Sequence, residues 1–309
     1  MEYGVSSQSQ LSDRDGAVQR LLELNGLYEL HLANNRTTAG SWRRFANHRR
    51  HVMALALACG GASIALLGAG NCNDVDLRAL EQQFRDIHLV DIDRAAVEHA
   101  RAHQPLHVGS AIRLDAPVDL SGSLDWLPIH RHRAPTAVEL GGWAKNAAAR
   151  VLSAVPATFD TVISTCLLSQ LMHACSVGLG ESNPFLHVIA CATAVAHLRS
   201  LLALVRPGGT AVIVTDIVSS AAYPLESVWG QIEPLEILAR VDREDSAQSG
   251  TAPSFLLEVL AGDAEIAPSI EPARLVSPWL WQFTDELTYL VCAIVVKKKP
   301  DQECSVSGS

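Results

Sequence analysis

The sequence predicts an α/β protein with a mostly parallel sheet and helices on both faces. The first observation is a βαβ pattern over 63–91, in which an apolar run ends on glycines, a helical pattern follows, and a second apolar run ends on Asp91. The second is the run Arg206-Pro207-Gly208-Gly209, which predicts a tight turn between an apolar helix and an apolar strand. The third is a pair of strand patterns over 279–283 and 287–296, which predicts a closing antiparallel hairpin.

The composition limits the partners of this protein. A chain of 309 residues with 48% hydrophobic residues can form one large domain or two small ones. The net charge of −9 argues against a nucleic-acid partner, which favours a basic face. Seven cysteines without a CxxC pair, mostly in apolar segments, predict buried free thiols in a reducing compartment. We therefore expect a cytoplasmic protein, and the histidine spacing predicts no metal site.

The apolar stretch over 52–70 is long enough to resemble a membrane span. The break at Cys59-Gly60-Gly61 instead predicts a buried helix, a turn and the first strand. The polar residues 1–15 have no signal-peptide pattern. We therefore expect no membrane segment.

The chain divides into three predicted regions. Residues 1–60 form a helical extension or lid, 61–297 form the main domain with insertions at about 120–156 and 218–277, and 298–309 form a disordered tail.

The extension is predicted to contain helices over 15–33 and 41–58, with Ser41 as the N-cap of the second. That second helix carries a cluster of basic residues that includes Arg43, His48 and Arg49. They indicate either a lid that meets a carboxylate or, as we favour, a solvated helix face.

The remaining elements follow from apolar periodicity and from capping residues such as Asp93. We predict helices over 93–103, 138–152, 165–176, 185–205, 235–240 and 255–260, and strands over 111–114, 159–164 and 210–216.

The first βαβ unit has the features of a nucleoside site. Gly68-Ala69-Gly70 lets a ligand approach the backbone, and Asp91 lies 23 positions after Gly68 (91 − 68), a spacing suited to ribose hydroxyls. The third glycine of a dinucleotide fingerprint is replaced by Asn73, and Asp74 follows at the expected helix start. Because a carboxylate there repels phosphate, the pattern favours a cofactor with a cationic end over a pyrophosphate.

This stretch resembles motif I of the class I S-adenosylmethionine (SAM)-dependent methyltransferases, acid-x-Gly-x-Gly-x-Gly. Leu66 stands at the position of the acid and Cys72 at that of the third glycine. The resemblance extends over roughly 63–296. It implies a Rossmann-like seven-stranded methyltransferase sheet, mostly parallel with an antiparallel C-terminal hairpin, and SAM as the cofactor.

The resemblance also implies the cofactor-binding residues. Asp119 is our choice for the contact with the adenine amine, Asp115 is the second choice, and the alternative is that either caps a turn. The implied set is Gly68, Ala69, Gly70, Asn73, Asp91, Ile92, Asp119, Leu120, Ser164 and Thr165.

Two residues are candidates for a catalytic base. Asp216 ends a predicted parallel strand, and ligands of open α/β sheets bind at the carboxyl ends of the strands. His173 follows the strand over 159–164, and histidine titrates near neutral pH, although a lone helical histidine is more often structural.

We therefore predict a SAM-dependent methyltransferase with a small-molecule acceptor. An NAD(P)-dependent oxidoreductase would share the βαβ unit, but Asn73-Asp74 and the C-terminal hairpin argue against it. A noncatalytic SAM-binding protein is the other alternative, which Leu66 and Cys72 keep open. The sequence indicates neither the acceptor atom nor the oligomeric state.

Overall fold

We analysed a computed structural model of the chain, which describes residues 25–104, 112–244, 246–248 and 250–301. Its strands are β1 (Ser63–Leu67), β2 (Asp86–Val90), β3 (Ile112–Asp115), β4 (Phe159–Thr165), β5 (Val205–Ser219), β6 (Arg274–Gln282) and β7 (Thr288–Lys297). Its helices are α1 (25–38), α2 (Ala46–Cys59), α3 (Leu77–Glu81), α4 (Arg94–His103), α5 (Leu127–His130), α6 (Ala137–Ala154), α7 (Leu167–Leu179), α8 (Leu186–Ala203), α9 (Leu225–Val228), α10 (Pro234–Arg243) and α11 (Pro253–Gly262), with a 3₁₀ turn at Ala267–Ser269.

The seven strands form one sheet in the order β3-β2-β1-β4-β5-β7-β6. The first five are parallel, whereas β7 runs antiparallel to both β5 and β6. The central strands β1 and β4 are buried on both faces, which is why their sequences are continuous apolar runs. The predicted fold class, a mostly parallel seven-stranded sheet with an antiparallel C-terminal hairpin, is confirmed.

Helices cover both faces of the sheet, and alternate residues of each strand enter different cores. In β1, Ala65 and Leu67 join a core with helices α7, α8 and α11. Ile64 and Leu66 face the other core, which contains residues of α2, α3 and α4. The carboxyl ends of the parallel strands are therefore held in one rigid frame.

The N-terminal helices differ from their predicted bounds. The first predicted helix, over 15–33, corresponds to α1, which continues to residue 38. Residues 15–24 of that prediction lie outside the described residues. The predicted N-cap Ser41 is wrong, because α2 begins at Ala46 after a series of turns. Ser41 is instead buried, its carbonyl accepts the Phe45 N–H, and the guanidinium of Arg49 lies 3.5 Å from the centre of the Trp42 ring. Tertiary packing of these side chains replaces the local helix.

The helix after the glycine loop also begins later than predicted. Asp76 caps α3 by accepting the Ala79 N–H at 3.0 Å, so Asp74 lies in the preceding loop and not at a helix start. The carboxylate of Asp74 is therefore not used for capping.

The predicted turn at Arg206–Gly209 is not a separate connection. The backbone of β5 runs through it as an irregularity, since Phe159 pairs with Val205 whereas Thr161 pairs with Thr210. A Cβ on Gly209 would lie 2.8 Å from the Asp160 carbonyl oxygen, so this close approach requires glycine.

The start of the predicted disordered tail is hydrogen-bonded to the domain. The Lys298 N–H donates to the Gly209 carbonyl at 2.9 Å, and the Lys299 N–H donates to the Ser269 carbonyl at 2.8 Å. Residues 302–309 lie outside the described part of the chain.

Within the described residues, α8 alone is long and apolar enough to cross a membrane, and 56% of it is buried inside the protein. The core helices of soluble proteins can be equally long and apolar. Packing against α6 and α7 therefore accounts for the apolar character of α8.

Candidate functional site

Two adjoining cavities lie at the carboxyl ends of the parallel strands. The larger has a volume of about 490 Å³, within the range of roughly 300–1,000 Å³ typical of small-molecule sites. The smaller has only about 30 Å³. Asn35, Gly68 and Gln170 line both, so the two cavities meet at the first glycine of the loop.

The glycine loop has the backbone conformation that its sequence predicts. Gly68 and Gly70 have φ values of +70° and +46°, in the left-handed region that glycine adopts readily. A Cβ on Gly70 would lie 2.6 Å from Asn35 Oδ1. Cys72, at the third glycine position of the resembled motif, also has a positive φ, +51°. The loop therefore retains a left-handed residue there although the glycine is missing.

Asp91 fixes this loop to the end of β2. One carboxylate oxygen accepts the Gly70 N–H at 2.7 Å, and the other accepts the Asp93 N–H at 2.8 Å. Burial raises the pKa of Asp91 to about 6, and the two backbone hydrogen bonds oppose that shift. Asp91 and the adjacent Ile92 line the smaller cavity.

Asp119 is placed at the smaller cavity, whereas Asp115 is not a lining residue. Asp119 also caps the turn that follows, accepting the N–H groups of Ser121 and Gly122 at 3.0 and 2.9 Å. Asp115 instead contacts His88 at 2.6 Å. Asp119 therefore caps a turn at the wall of the smaller cavity, and its contact with the adenine amine stays a prediction.

Two acidic residues, Asp74 and Asp216, line the larger cavity. Burial raises the pKa of Asp74 to about 7, with Arg49 lowering it and Asp216 raising it further. Burial likewise raises the pKa of Asp216 to about 6, although Ser169 Oγ donates to it at 2.7 Å. None of the described residues that line this cavity is a lysine or an arginine.

His48 is a buried residue. The prediction that it lies on a solvated helix face is therefore wrong. Trp279 Nε1 donates to His48 Nδ1 at 3.1 Å, so the ring hydrogen is on Nε2, which lies 3.6 Å from Asp74 Oδ1. Burial lowers the pKa of His48 to about 3, so the ring is neutral. The signal was available, since Phe45, His48 and Val52 are buried at helical spacing.

Cys166 lies between β4 and α7 in a strained backbone conformation, with φ of +46°. Its thiol lines the larger cavity, and burial raises its pKa well above the usual range. A raised thiol pKa disfavours the thiolate, so Cys166 is a poor candidate for a nucleophile.

Four aromatic rings form one wall of the larger cavity. Phe45 packs edge-on against Trp281 at a centroid distance of 4.9 Å, and Phe283 and Tyr289 are 5.6 Å apart. Trp279 is buried and packs against His48. The hairpin β6–β7 thus supplies most of this apolar wall.

The end of α1 lies across both cavities and is held by asparagine side chains. Asn71 Nδ2 donates to the Asn35 carbonyl and Asn73 Nδ2 to the Thr38 carbonyl, both at 2.7 Å. These carbonyls belong to the last turn of α1. The carbonyls of a last turn accept no backbone N–H within their own helix. Asn35 also donates to Asp93 Oδ2 at 3.2 Å. The sequence analysis missed this contact between α1 and the loop.

Most of the predicted site residues come together at the two cavities. The larger is lined by Gly68, Ala69, Gly70, Asn73, Thr165, His173 and Asp216, and the smaller by Gly68, Asp91, Ile92, Asp119 and Leu120. Ser164 is the exception, because it is fully buried and its Oγ lies 2.8 Å from His197 Nε2. Among the described residues, no three His, Cys, Asp or Glu side chains are grouped to hold a metal ion.

Comparisons with known proteins found similar solved structures only. No family model and no curated protein sequence matches the chain. A SAM-dependent methyltransferase of Anabaena variabilis is 15% identical, with 88% of this chain and 95% of that one covered and a TM-score of 0.47.

Two further structures are similar at the same level. An O-methyltransferase of Streptomyces achromogenes involved in tomaymycin synthesis, solved in complex with SAM, is 15% identical over 85% of this chain and 89% of its own, with a TM-score of 0.41. A SAM-dependent methyltransferase of Leishmania major is 12% identical over 89% and 83%, with a TM-score of 0.44. All three structures are similar to the chain over most of its length at low sequence identity.

Proposed function

We propose that this protein is a SAM-dependent methyltransferase that binds SAM across the two adjoining cavities and methylates a small molecule in the larger one. The observation that carries the proposal is that the two cavities meet at Gly68. The Asp91 carboxylate lines the smaller cavity, and acidic and aromatic side chains line the larger one. The smaller cavity suits a nucleoside and the larger one a second substrate.

The smaller cavity has the groups that an adenosine end requires. The Asp91 carboxylate is an acceptor for the ribose hydroxyls, since it has lone pairs beyond the two used by backbone N–H groups. Ile92, Val118 and Leu120 supply apolar surface for the base, and Asp119 lies beside them.

The larger cavity offers a position for the cationic end of SAM. Asp74 lines this cavity next to the glycine loop, and its buried Oδ1 has no hydrogen-bond partner among the described residues, with His48 Nε2 at 3.6 Å. A buried carboxylate is stabilised by a cation, and the methionine ammonium of SAM is one. This chemistry disfavours a nicotinamide dinucleotide, whose pyrophosphate Asp74 would repel.

Binding of adenine requires α1 to move. The smaller cavity has about 30 Å³, far below the range of roughly 300–1,000 Å³ typical of small-molecule sites, and His31 and Asn35 of α1 form part of its wall. The asparagine contacts described above hold α1 in this closed position. We infer that α1 is a lid, as the sequence indicated for residues 1–60.

Bound SAM supplies an electrophilic methyl group on a sulfonium. The protein then has to align the acceptor in line with that group, which reduces the entropic barrier without a covalent intermediate. Of the two candidate bases, Asp216 is buried on the cavity floor and oriented by Ser169, whereas His173 is exposed at the cavity. We assign proton removal to Asp216.

Calorimetric titration with SAM, its demethylated product S-adenosylhomocysteine (SAH) and NADH tests this function. We expect SAM and SAH to bind with dissociation constants in the micromolar range and NADH not to bind. Binding of NADH alone would overturn the proposal, and SAM binding without turnover for any acceptor would favour the noncatalytic alternative.

Substitution of Gly70 by alanine is expected to weaken SAM binding about tenfold. The new Cβ would stand on the part of the loop backbone that SAM has to approach, at a backbone φ of +46° that disfavours a side chain. The affinity is measured by the same titration. Gly60→Ala is the matched control, since Gly60 has a φ of +72° but no atom within 4 Å of the added Cβ.

An affinity of Gly70→Ala for SAM equal to that of the unmodified protein would show that SAM does not approach the backbone at Gly70.

A further inference from the structure

We propose that the methyl acceptor is an amine carried on an aromatic or similarly apolar body, bound between Asp216 and the aromatic wall of the larger cavity. This inference rests on the proposed methyl transfer from SAM and adds the chemical class of the acceptor. It follows from the charges, the partners of Asp216 and the aromatic side chains at one end of the cavity.

The first step is the charge of the cavity. Its described lining contains two carboxylates, Asp74 and Asp216, and no lysine or arginine. Arg49 lies near Asp74, behind the loop, where its guanidinium donates to the Asn73 carbonyl at 2.7 Å. With Asp74 paired to the SAM ammonium, an anionic acceptor would meet the Asp216 carboxylate and no lysine or arginine of the described lining, which disfavours carboxylate and phosphate substrates on electrostatic grounds.

The second step is that Asp216 has neutral partners. Ser169 Oγ donates to its Oδ1 at 2.7 Å, and the Cys166 thiol is its other side-chain partner. The residue is 7% exposed, so its charge is largely removed from water. A buried carboxylate with only neutral donors is stabilised most by a cationic ligand. A neutral alcohol would leave that charge without an ionic partner.

The third step is the aromatic wall. Phe45, Trp281 and Tyr289 line the cavity together with Asp216, and burial and the nearby charge of Asp216 raise the pKa of the Tyr289 phenol. Aromatic faces attract ammonium groups and also pack against an apolar ring. The combination of a carboxylate with aromatic rings therefore selects a molecule with both a cationic and an apolar part.

The chemistry balances with the groups present. The acceptor enters as an ammonium ion, and one proton passes from its nitrogen to the carboxylate of Asp216. The freed nitrogen lone pair forms a bond to the methyl carbon, while the carbon–sulfur bond breaks with its electron pair remaining on sulfur. The products are a methylated ammonium ion, a neutral thioether and a protonated Asp216, which releases its proton to solvent. A base of pKa about 6 accepts this proton without becoming permanently protonated at neutral pH.

Three probes of matched shape test the acceptor class: 2-phenylethylamine, 2-phenylethanol and 3-phenylpropanoate, which end in a cation, a neutral hydroxyl and an anion. Each is titrated into the protein saturated with SAH. We expect the amine to bind at least about tenfold more tightly than the alcohol, and the carboxylate to bind most weakly.

Variants assign the preference to Asp216. In Asp216→Asn, the amine should bind no better than the alcohol, while the affinity for SAH stays within about threefold. Asp125→Asn is the charge-matched control, since Asp125 is exposed and pairs with Arg150 outside both cavities. It should keep the preference for the amine.

The outcomes separate this inference from the proposed function. Failure of SAH itself to bind would overturn both. Binding of SAH together with an alcohol or carboxylate that binds as well as the amine, or with no probe binding, would overturn the amine assignment alone. If Asp216→Asn weakens binding of SAM but not of SAH, Asp216 pairs with the cofactor sulfonium and the assignment is also wrong.

Discussion

Replacement of Asp91 by alanine is expected to lower the affinity for SAM by about 100-fold. Two contributions are lost, the acceptor for the ribose hydroxyls and the contact that fixes the glycine loop through the Gly70 N–H at 2.7 Å. Hydrogen bonds to a charged group contribute roughly 1.5–3 kcal/mol each, so one lost bond already predicts a tenfold to 100-fold change. The measurement is calorimetric titration with SAM and with SAH.

An asparagine at position 91 distinguishes the two contributions. Asp91→Asn keeps the shape and one acceptor oxygen but loses the charge, so we expect a loss of about tenfold. Asp86→Ala is the control, because Asp86 begins the same strand at the opposite end, away from both cavities. Retention of full SAM affinity by Asp91→Ala would place the nucleoside elsewhere and contradict the proposed site.

The sheet was predictable because its signals are local. The apolar runs of β1, β4 and β5 are continuous where the strands are buried on both faces, and each is followed by turn or helix signals. Parallel strands place their carboxyl ends at one edge, so Gly68, Asp91 and Asp216 could be brought together from sequence alone.

The departures from the resembled motif also have physical explanations. Leu66 is buried in the core formed with α2, α3 and α4, where an acid would need a partner. Cys72 adopts the left-handed conformation for which glycine is the usual residue, with its side chain buried. The backbone path of the loop is thus retained without the third glycine.

The contacts between distant segments were not predictable. Asn71 and Asn73 bind the end of α1 across more than 30 positions, and nothing in their local sequence indicates that partner. The neutral, buried state of His48 depends on Trp279, which is 231 positions away. Tertiary contacts of this kind override local propensity, as they do in the turns that replace the predicted start of α2.

Asp91 and Asp160 are both buried aspartates at strand ends. We expect Asp160 to contribute to stability, whereas Asp91 contributes to SAM binding. Its Oδ2 accepts the N–H groups of Ala62 and Ser63 at 2.8 and 2.9 Å, and Arg206 pairs with its other oxygen. These contacts join the amino ends of β1 and β4, opposite the cavities. Burial opposes the charge, but the backbone hydrogen bonds and Arg206 hold the pKa of Asp160 below its usual value.

Asp160→Ala is expected to lower the free energy of unfolding by about 3 kcal/mol, because the N–H groups of Ala62 and Ser63 lose a charged acceptor and Arg206 loses its partner. Urea denaturation followed by circular dichroism measures this loss. The folded pKa is below the unfolded one, so this stabilisation is present above about pH 4 and is lost as the pH falls through the folded pKa.

The matched variant is Arg206→Ala, which removes only the half-exposed partner and should cost about 1 kcal/mol or less. Folded Asp160→Ala should still bind SAM with nearly unchanged affinity, since neither cavity includes this residue. An unchanged unfolding free energy together with lost SAM binding would reverse the assignment and make Asp160 a residue of the site. Variants of Asp91 thus test ligand binding at the carboxyl edge of the sheet, and variants of Asp160 test stability at its amino edge.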